Sequence, residues 1–139
     1  MNKKDLKYSK NHEWVGIINY DNSYIDNNNK NKYHAFIGIT YFAQKELGDI
    51  VYLDIDNSIL KKEIKEKEVF GTIEAVKTVS DLFMPVSGII LEINDKLISN
   101  PELINKNSYE EWMIKIIILD ISTYDKLMSF KEYEKYISI

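Results

Sequence analysis

The sequence predicts a single, mostly β domain with short helices between the strands and at the C-terminal end. Short runs rich in isoleucine, valine and aromatic residues recur along the chain, which is the pattern of strands. The 139 residues suit one domain and are enough to bury a core. Cysteine is absent, which excludes a disulfide framework, a thiolate nucleophile and a thiolate metal site.

Composition and charge exclude several partners. Every basic residue is a lysine, so bidentate guanidinium recognition of phosphate or carboxylate cannot occur. The net charge is −4 and no basic stripe is present, which argues against nucleic acid and anionic membranes as partners. No apolar run approaches the ~20 residues that a membrane-spanning helix needs.

The N-terminal part is predicted to form a β-hairpin with a long insertion. Residues 1–11 are polar and are predicted to be a loose lead-in. EWVGIIN, 13–19, reads as a strand with Trp14 as its aromatic anchor, and HAFIGI, 34–39, reads as the next. The segment 21–34 between them is low in complexity, rich in asparagine and poor in apolar residues, so we predict a partly mobile hairpin loop.

A short helix and a third strand are predicted next. Thr40 is a candidate N-cap for the helix YFAQKEL, and Gly48 is a natural residue to end it. DIVYLDID, 49–56, alternates in the manner of a strand with two distinct faces. The charged run 57–68 is predicted to be a turn and a solvated linker.

The stretch 69–94 is the most unusual in the chain. Its strand-like runs 69–73 and 89–93 flank a short polar turn, and this turn displays Lys77. A lysine in a turn is usually a solvated charge, so the neighbours decide the interpretation. A Schiff-base role would need a desolvated pocket, which the tip of a hairpin does not provide.

The neighbours of Lys77 are typical of a modification segment. Small apolar residues, among them Ala75 and Val76, would let a modifying enzyme approach the backbone closely. Glu74 and Asp81 add an acidic frame that such an enzyme could recognise.

The C-terminal part is predicted to alternate short helices with one strong strand. Pro101 begins one helical turn with Asn100 as its cap, and WMIKIIIL, 112–119, is the strand. Two capping-box patterns follow, beginning at Ser122 and Ser129. An apolar stripe at helical spacing is interpreted as a packing face, and it comprises Leu127, Phe130, Tyr133 and Ile137.

Conventional catalytic motifs are missing from the sequence. His12 and His34 have no spacing that favours a metal site, and His12 is interpreted as a surface or hydrogen-bonded structural residue. The sequence contains no nucleophile elbow, phosphate-binding glycine loop or dinucleotide fingerprint. We therefore expect no catalytic residue.

Four blocks of the sequence resemble one known family. EAVKTVSDLFMPVSG, which contains Lys77, resembles the lipoyl-attachment segment of glycine cleavage system H proteins. Blocks at 8–15, 37–56 and 101–116 resemble successive parts of the same family, in the same order. Biotinyl domains, by contrast, place methionines beside the lysine, where this chain has Val76 and Thr78.

The resemblance implies a fold, a cofactor and a site. The fold would be a lipoyl/biotinyl-type flattened β sandwich, or barrel-sandwich hybrid, with short peripheral helices. Lipoate would be bound in amide linkage to Lys77, with Glu74 and Asp81 read by the attaching enzyme. Glu13, Asp81 and Asn11 would shelter the aminomethyl end of the loaded arm, and residues 1–139 would form a single carrier domain.

The resemblance also implies a set of partners. The carrier would be a substrate, not an enzyme, shuttling between glycine decarboxylase (P protein), which uses pyridoxal phosphate, and the tetrahydrofolate-dependent aminomethyltransferase (T protein). Dihydrolipoyl dehydrogenase (L protein) would reoxidise it, and a lipoate ligase or lipoyl transferase would attach the cofactor. The asparagine-rich, lysine-only composition favours a protist-like mitochondrial matrix protein whose targeting peptide is absent from this chain, with bacterial cytoplasm as the alternative.

Two other functions remain open from the residues alone. One is a scaffold that stores lipoyl groups or relays them to other complexes without glycine cleavage. The other is an unmodified structural module in which Lys77 is merely solvated.

Overall fold

The computed structural model describes residues 1–25 and 31–138, with only the backbone given for 19–25 and 31–32. The strands within these residues are Lys7–Tyr8 (β1), Glu13–Ile25 (β2), Asn31–Ile39 (β3), Ile50–Asp54 (β4), Glu63–Ile64 (β5), Val69–Ala75 (β6), Val79–Phe83 (β7), Gly88–Ile93 (β8) and Ile114–Ile118 (β9). The helices are Tyr41–Leu47 (α1), Asp95–Ser99 (α2), Leu103–Lys106 (α3), Ile121–Asp125 (α4) and Phe130–Ile137 (α5), with 3-10 turns at Lys3–Asp5 and Asn57–Ile59.

The strands form two antiparallel sheets. The larger sheet has six strands in the order β1-β2-β3-β9-β8-β5, and the smaller has three in the order β4-β6-β7. Side chains from both sheets meet in one apolar core, which includes Ile37, Ile116, Ile73 and Leu82. The predicted class is confirmed: the fold is a mostly β, lipoyl-domain-like sandwich with short helices around it. None of the helices in the described part of the chain is long and apolar enough to cross a membrane.

The centre of the large sheet explains why the isoleucine-rich runs form strands. In β9, Ile116 lies between Ala35 of β3 and Ile90 of β8, and all three side chains are fully buried. β-Branched side chains fit such a pleated, covered surface well. Burial of these side chains is therefore the main stabilising contribution that the sequence pattern predicts.

The lysine hairpin differs from the prediction in its second strand. β6 pairs with β7, from Val69 opposite Phe83 to Glu74 opposite Val79, whereas residues 89–93 belong to β8 in the other sheet. β7 could not be predicted from the pattern of apolar residues, because it is an edge strand whose first three side chains are exposed. The prediction that 89–93 closes the hairpin was therefore wrong, although the turn that displays Lys77 was placed correctly.

Strand β4 does not alternate as predicted. Ile50 and Leu53 are both buried, while Val51 and Tyr52 between them are exposed. The pairing of β4 with β6 shifts register between Ile50 and Tyr52, and a bulge of this kind adds a residue to one strand and breaks the alternation.

The lead-in is ordered, contrary to the prediction. The Tyr8 ring is fully buried and stacks on Tyr133 of α5 with centroids 4.6 Å apart. The backbones of Tyr8 and Met128 exchange two hydrogen bonds of 2.9 Å. Tyr8 also joins Leu6 and Trp14 in a second apolar cluster, which ties both chain ends to β2.

The asparagine-rich segment is less of a loop than predicted. β2 continues to Ile25 and β3 begins at Asn31, so strand pairing occupies part of 21–34. A ladder hydrogen-bonds through the backbone, so it can extend even where the side chains are polar. The mobility predicted for 21–34 includes residues 26–30, which lie outside the described residues.

The helix ends test the predicted caps. Thr40 caps α1 by accepting from the Ala43 N–H, and Gly48 follows the helix with φ 80°, as predicted. Ser129 and Glu132 form the predicted capping box of α5, and Tyr133 buries its packing face. Two predicted caps were wrong: Asn100 ends α2 instead of beginning a helix, and Asp120, not Ser122, caps α4.

Candidate functional site

Lys77 lies at the centre of a tightly held turn. The Ala75 N–H donates to the Thr78 carbonyl at 2.8 Å, which closes the turn between β6 and β7. The Val76 N–H donates to the Asp49 carbonyl at 3.1 Å, which fixes the turn to the segment before β4. The Lys77 side chain is exposed, as are the apolar side chains of Val76 and Val79. A lysine amine is therefore presented to solvent on a backbone fixed from two sides.

Glu74 and Asp81 lie on the same face of this small sheet. Glu74 of β6 is opposite Val79, and Asp81 of β7 is opposite Thr72. Side chains two residues apart on a strand point the same way, so the pairs share one face. Two acidic side chains thus lie on one face beside the hairpin turn, with Glu74 half-buried and Asp81 exposed.

Glu13, at the start of β2, is the buried carboxyl group of the site. Its side chain is only 2% exposed. The Ser9 hydroxyl donates to Oε1 at 2.7 Å, and the Phe83 N–H donates to Oε2 at 3.4 Å. Burial is the main cause that raises the pKa of this carboxyl to about 7, and the two hydrogen bonds act in the opposite direction.

One cavity brings together the three residues predicted to shelter the arm. It has a volume of about 160 Å³, and its lining includes Asn11, Glu13 and Asp81 with Ala43 and Leu47 of α1. Glu13 also lines a neighbouring cavity of about 360 Å³. Lys77 lies four positions before Asp81, which corresponds to at most about 13 Å at 3.3 Å per extended residue. Lys77 itself lines neither of these two cavities, so an attached arm would have to fold back along β7 to reach Glu13.

His12 is structural in this arrangement, as predicted. Its Nδ1 lies 2.8 Å from the Tyr133 hydroxyl, which in turn lies 2.8 Å from the Thr40 hydroxyl. Its backbone has a φ of 68°, which turns the chain sharply just before Glu13. Among the described residues, no group of three or more potential ligands could hold a metal ion.

Sequence reasoning missed Ser9 and the Phe83 N–H as the groups that hold Glu13. Ser9 lies four residues before Glu13, and the backbone hydrogen bonds from Ser9 N–H to Glu13 and from His12 N–H to Ser9 form the turn that brings them together. The lead-in looked loose in the sequence, so no signal pointed to this turn. Phe83 acts through its backbone, which no side-chain pattern can reveal.

The raised pKa of Glu13 predicts a pH-dependent stability. The folded state keeps the proton up to about pH 7, whereas the unfolded carboxyl releases it near its ordinary 4.5. Between these values the native state binds more protons, so this group's contribution is complete below about pH 4.5 and is lost as pH rises through about 7. The loss amounts to about 3 kcal/mol at 1.36 kcal/mol per pH unit.

Urea unfolding of wild type and Glu13→Gln at several pH values between 4.5 and 8 checks this prediction. The wild type should lose stability relative to Glu13→Gln as pH rises across this range. Parallel pH profiles for the two proteins would contradict it.

The two sheets and the displayed hairpin define the class of protein, a lipoyl-domain-like β sandwich. The family model described as "Glycine cleavage H-protein" matches residues 6–139. The glycine cleavage system H protein of Prosthecochloris aestuarii is 42% identical over 134 residues, covering 96% of this chain and 94% of the relative. That of Bacillus subtilis is 42% identical over 133 residues, covering 95% and 93%. The chain belongs to the glycine cleavage H-protein family.

A solved structure supports the same assignment. The crystal structure of a glycine cleavage system H protein from Mycobacterium marinum superposes with a TM-score of 0.79 over 98% of each chain, at 26% sequence identity. The predicted resemblance is confirmed, and the function is that of a lipoyl carrier in glycine cleavage. These comparisons do not favour the storage or relay scaffold. The two curated relatives described above are bacterial, so the mitochondrial expectation gains no support from them.

Proposed function

We propose that Lys77 carries lipoate in amide linkage and that the whole chain acts as one carrier domain. The observation that carries this proposal is the exposed lysine on a turn fixed by two backbone hydrogen bonds. Acylation would remove the charge of the amine and extend it into a long, mostly apolar arm. The bound group would supply the dithiolane that takes up and releases the aminomethyl group.

The residues around Lys77 are compatible with an attached lipoyl group. The exposed side chains of Val76 and Val79 leave room around Lys77. Glu74 and Asp81 give one face of the hairpin an acidic character by which a lipoate ligase or lipoyl transferase would recognise it. A rigid hairpin favours recognition because little conformational entropy is lost when the enzyme binds it.

Glu13 is proposed to receive the ammonium group of the cargo. A carboxylate that is buried without a cation is costly, and an ammonium brought beside it would favour its charged form. Asp81 supplies a second anion at the same cavity, and Asn11 supplies an amide oxygen. These contacts would hold the loaded end away from water, which would slow its breakdown.

The proposed partners follow from this role. Glycine decarboxylase would load the carrier, the aminomethyltransferase would unload it, and dihydrolipoyl dehydrogenase would reoxidise it. The carrier itself would perform no catalytic step. The carrier would be located in the bacterial cytoplasm if its source is bacterial, as the two relatives described above are. It would be located in the mitochondrial matrix if its source is not bacterial.

Reconstitution with these three enzymes tests the proposal. The lipoylated chain should support glycine-dependent formation of NADH, and the unmodified chain should not. A lipoylated chain that transfers its lipoyl group to other acceptor domains but supports no NADH formation would favour the relay function instead.

Glu13→Gln is expected to leave lipoylation intact but to shorten the lifetime of the loaded protein about tenfold, because a charge-assisted hydrogen bond of about 1.5 kcal/mol is lost. The decay of the isolated, loaded protein measures this lifetime. Glu92→Gln is the matched control, since Glu92 is an exposed residue of β8. Equal decay rates in Glu13→Gln and wild type would count against the role of Glu13.

A further inference from the structure

We propose that Ser9 is a positioning residue that holds the Glu13 carboxylate in the orientation in which it receives the ammonium of the cargo. This inference rests on the role proposed above for Glu13. It assigns a function to a residue of the lead-in, residues 1–11, for which the sequence pattern indicated no function.

The geometry around Glu13 separates its two carboxylate oxygens. Oε1 accepts a short hydrogen bond of 2.7 Å from the Ser9 hydroxyl, while Oε2 accepts only a long one of 3.4 Å from the Phe83 N–H. Since good N–H···O bonds lie near 2.9 Å, Oε2 keeps most of its capacity to accept. Ser9 therefore fixes one oxygen and leaves the other for a further donor.

Ser9 is itself held firmly. Its side chain is 8% exposed, and its hydroxyl oxygen accepts from the Glu13 N–H at 3.1 Å. Its backbone N–H donates to the Glu13 carbonyl at 2.9 Å. The hydroxyl hydrogen is thereby directed to the carboxylate, and the next residue toward the N-terminus, Tyr8, is fully buried. A hydroxyl anchored in this way can set the rotamer of Glu13 with little loss of entropy.

Other charges also face the two cavities that Glu13 lines. On the side of α1 and β7 the ionisable groups are His12, Glu46 and Asp81. On the other side they are Tyr8, Lys10, Glu66, Lys67 and Lys126. None of these is a hydrogen-bond partner of the Glu13 carboxylate, whereas Ser9 contacts it directly. Among the described residues, the Ser9 hydroxyl is thus the side-chain group that hydrogen-bonds to the Glu13 carboxylate and favours its charged form.

Loss of this hydroxyl has a predictable effect on the pH profile. A hydrogen bond to the carboxylate lowers its pKa, so removing it raises the pKa. The loaded protein is protected when Glu13 is ionised. In a plot of decay rate against pH, the loaded protein becomes protected above a midpoint. This midpoint should therefore move up by about one pH unit in Ser9→Ala.

The test measures the decay rate of the loaded, lipoylated protein against pH in a set of variants. Ser9→Ala and Ser9→Gly should show the upward shift, while Ser9→Thr, which keeps a hydroxyl, should restore the wild-type midpoint. Ser138→Ala is the matched control, because Ser138 donates to the Lys135 carbonyl at the end of α5. Thermal unfolding and near-UV circular dichroism establish that each variant is folded.

Three outcomes would overturn the inference, and they can be distinguished from one another. If Glu13→Gln shortens the lifetime but neither Ser9→Ala nor Ser9→Gly shifts the midpoint, Ser9 has no positioning role and the proposed function stands. If Glu13→Gln itself decays like the wild type, the proposed role of Glu13 fails, and the role of Ser9 fails with it. A shift that Ser9→Thr does not restore would also contradict the inference, since the hydroxyl would not be its cause.

Discussion

Lys77→Arg is expected to abolish lipoylation and, with it, all carrier activity. Arginine keeps the length and the positive charge of the side chain, but its guanidinium stays protonated and cannot act as the amine nucleophile that forms the amide. Intact mass after incubation with a lipoate ligase should show no added group, and glycine-dependent NADH formation should fall to the background. Because the side chain is exposed, stability should change by less than about 0.5 kcal/mol.

The matched control is Lys62→Arg. Lys62 is also an exposed lysine between elements, in the segment that follows the 3-10 turn Asn57–Ile59. This variant should be lipoylated and loaded like the wild type. Full lipoylation of Lys77→Arg would mean that another lysine is the attachment site, and the assignment of the hairpin would then be wrong.

Trp14→Ala is expected to cause the largest loss of stability among simple substitutions, about 4 kcal/mol. The indole is fully buried, and its Nε1–H donates to the Ser108 carbonyl at 3.1 Å. The ring lies so close to Gly38 that a Cβ there would come within 2.5 Å of it. Removal of the ring would leave a cavity at the point where the lead-in, β2 and α5 meet, and would leave a buried carbonyl unpaired.

Urea unfolding at a pH near 7 measures this loss. Trp14→Phe, which keeps part of the ring volume but not the N–H donor, should lose distinctly less than Trp14→Ala. Trp112→Ala is a useful comparison, because Trp112 stacks on Phe36 with centroids 4.5 Å apart but is only partly buried. A loss below about 1 kcal/mol for Trp14→Ala would show that the second cluster contributes little to stability.

Much of the fold follows from local patterns in the sequence. The runs around Trp14 and in 112–119 form strands because β-branched and aromatic residues can be buried on a pleated sheet. Thr40 and Ser129 form caps because their hydroxyls satisfy backbone N–H groups at the start of a helix. These features depend on neighbours in the sequence, so the sequence is sufficient to predict them.

Some pairings could not be predicted in the same way. The first three side chains of β7 are exposed, so its pairing with β6 is decided by the short turn at Lys77 and not by buried apolar residues. The order of the lead-in comes from Tyr8 stacking on Tyr133, which lies at the other end of the chain. Such contacts depend on the three-dimensional fold and leave no periodic pattern.

In the candidate site, too, some residues could be predicted from the sequence and others could not. Lys77, Glu74 and Asp81 belong to one segment whose composition marks it, and the family resemblance adds Glu13 and Asn11. In the structure Asn11, Glu13 and Asp81 line the same cavity. The turn that lets Ser9 hold Glu13 depends on the left-handed backbone of His12, and nothing in the residue types of 9–13 predicts that conformation.

Peptide mass mapping of the wild-type protein, after incubation with a lipoate ligase, ATP and lipoate, tests directly whether Lys77 is the attachment site. A single lipoyl group, located on Lys77, is expected in essentially every chain. An unmodified Lys77, under conditions in which the same ligase modifies a known lipoyl domain in the same tube, would contradict this expectation.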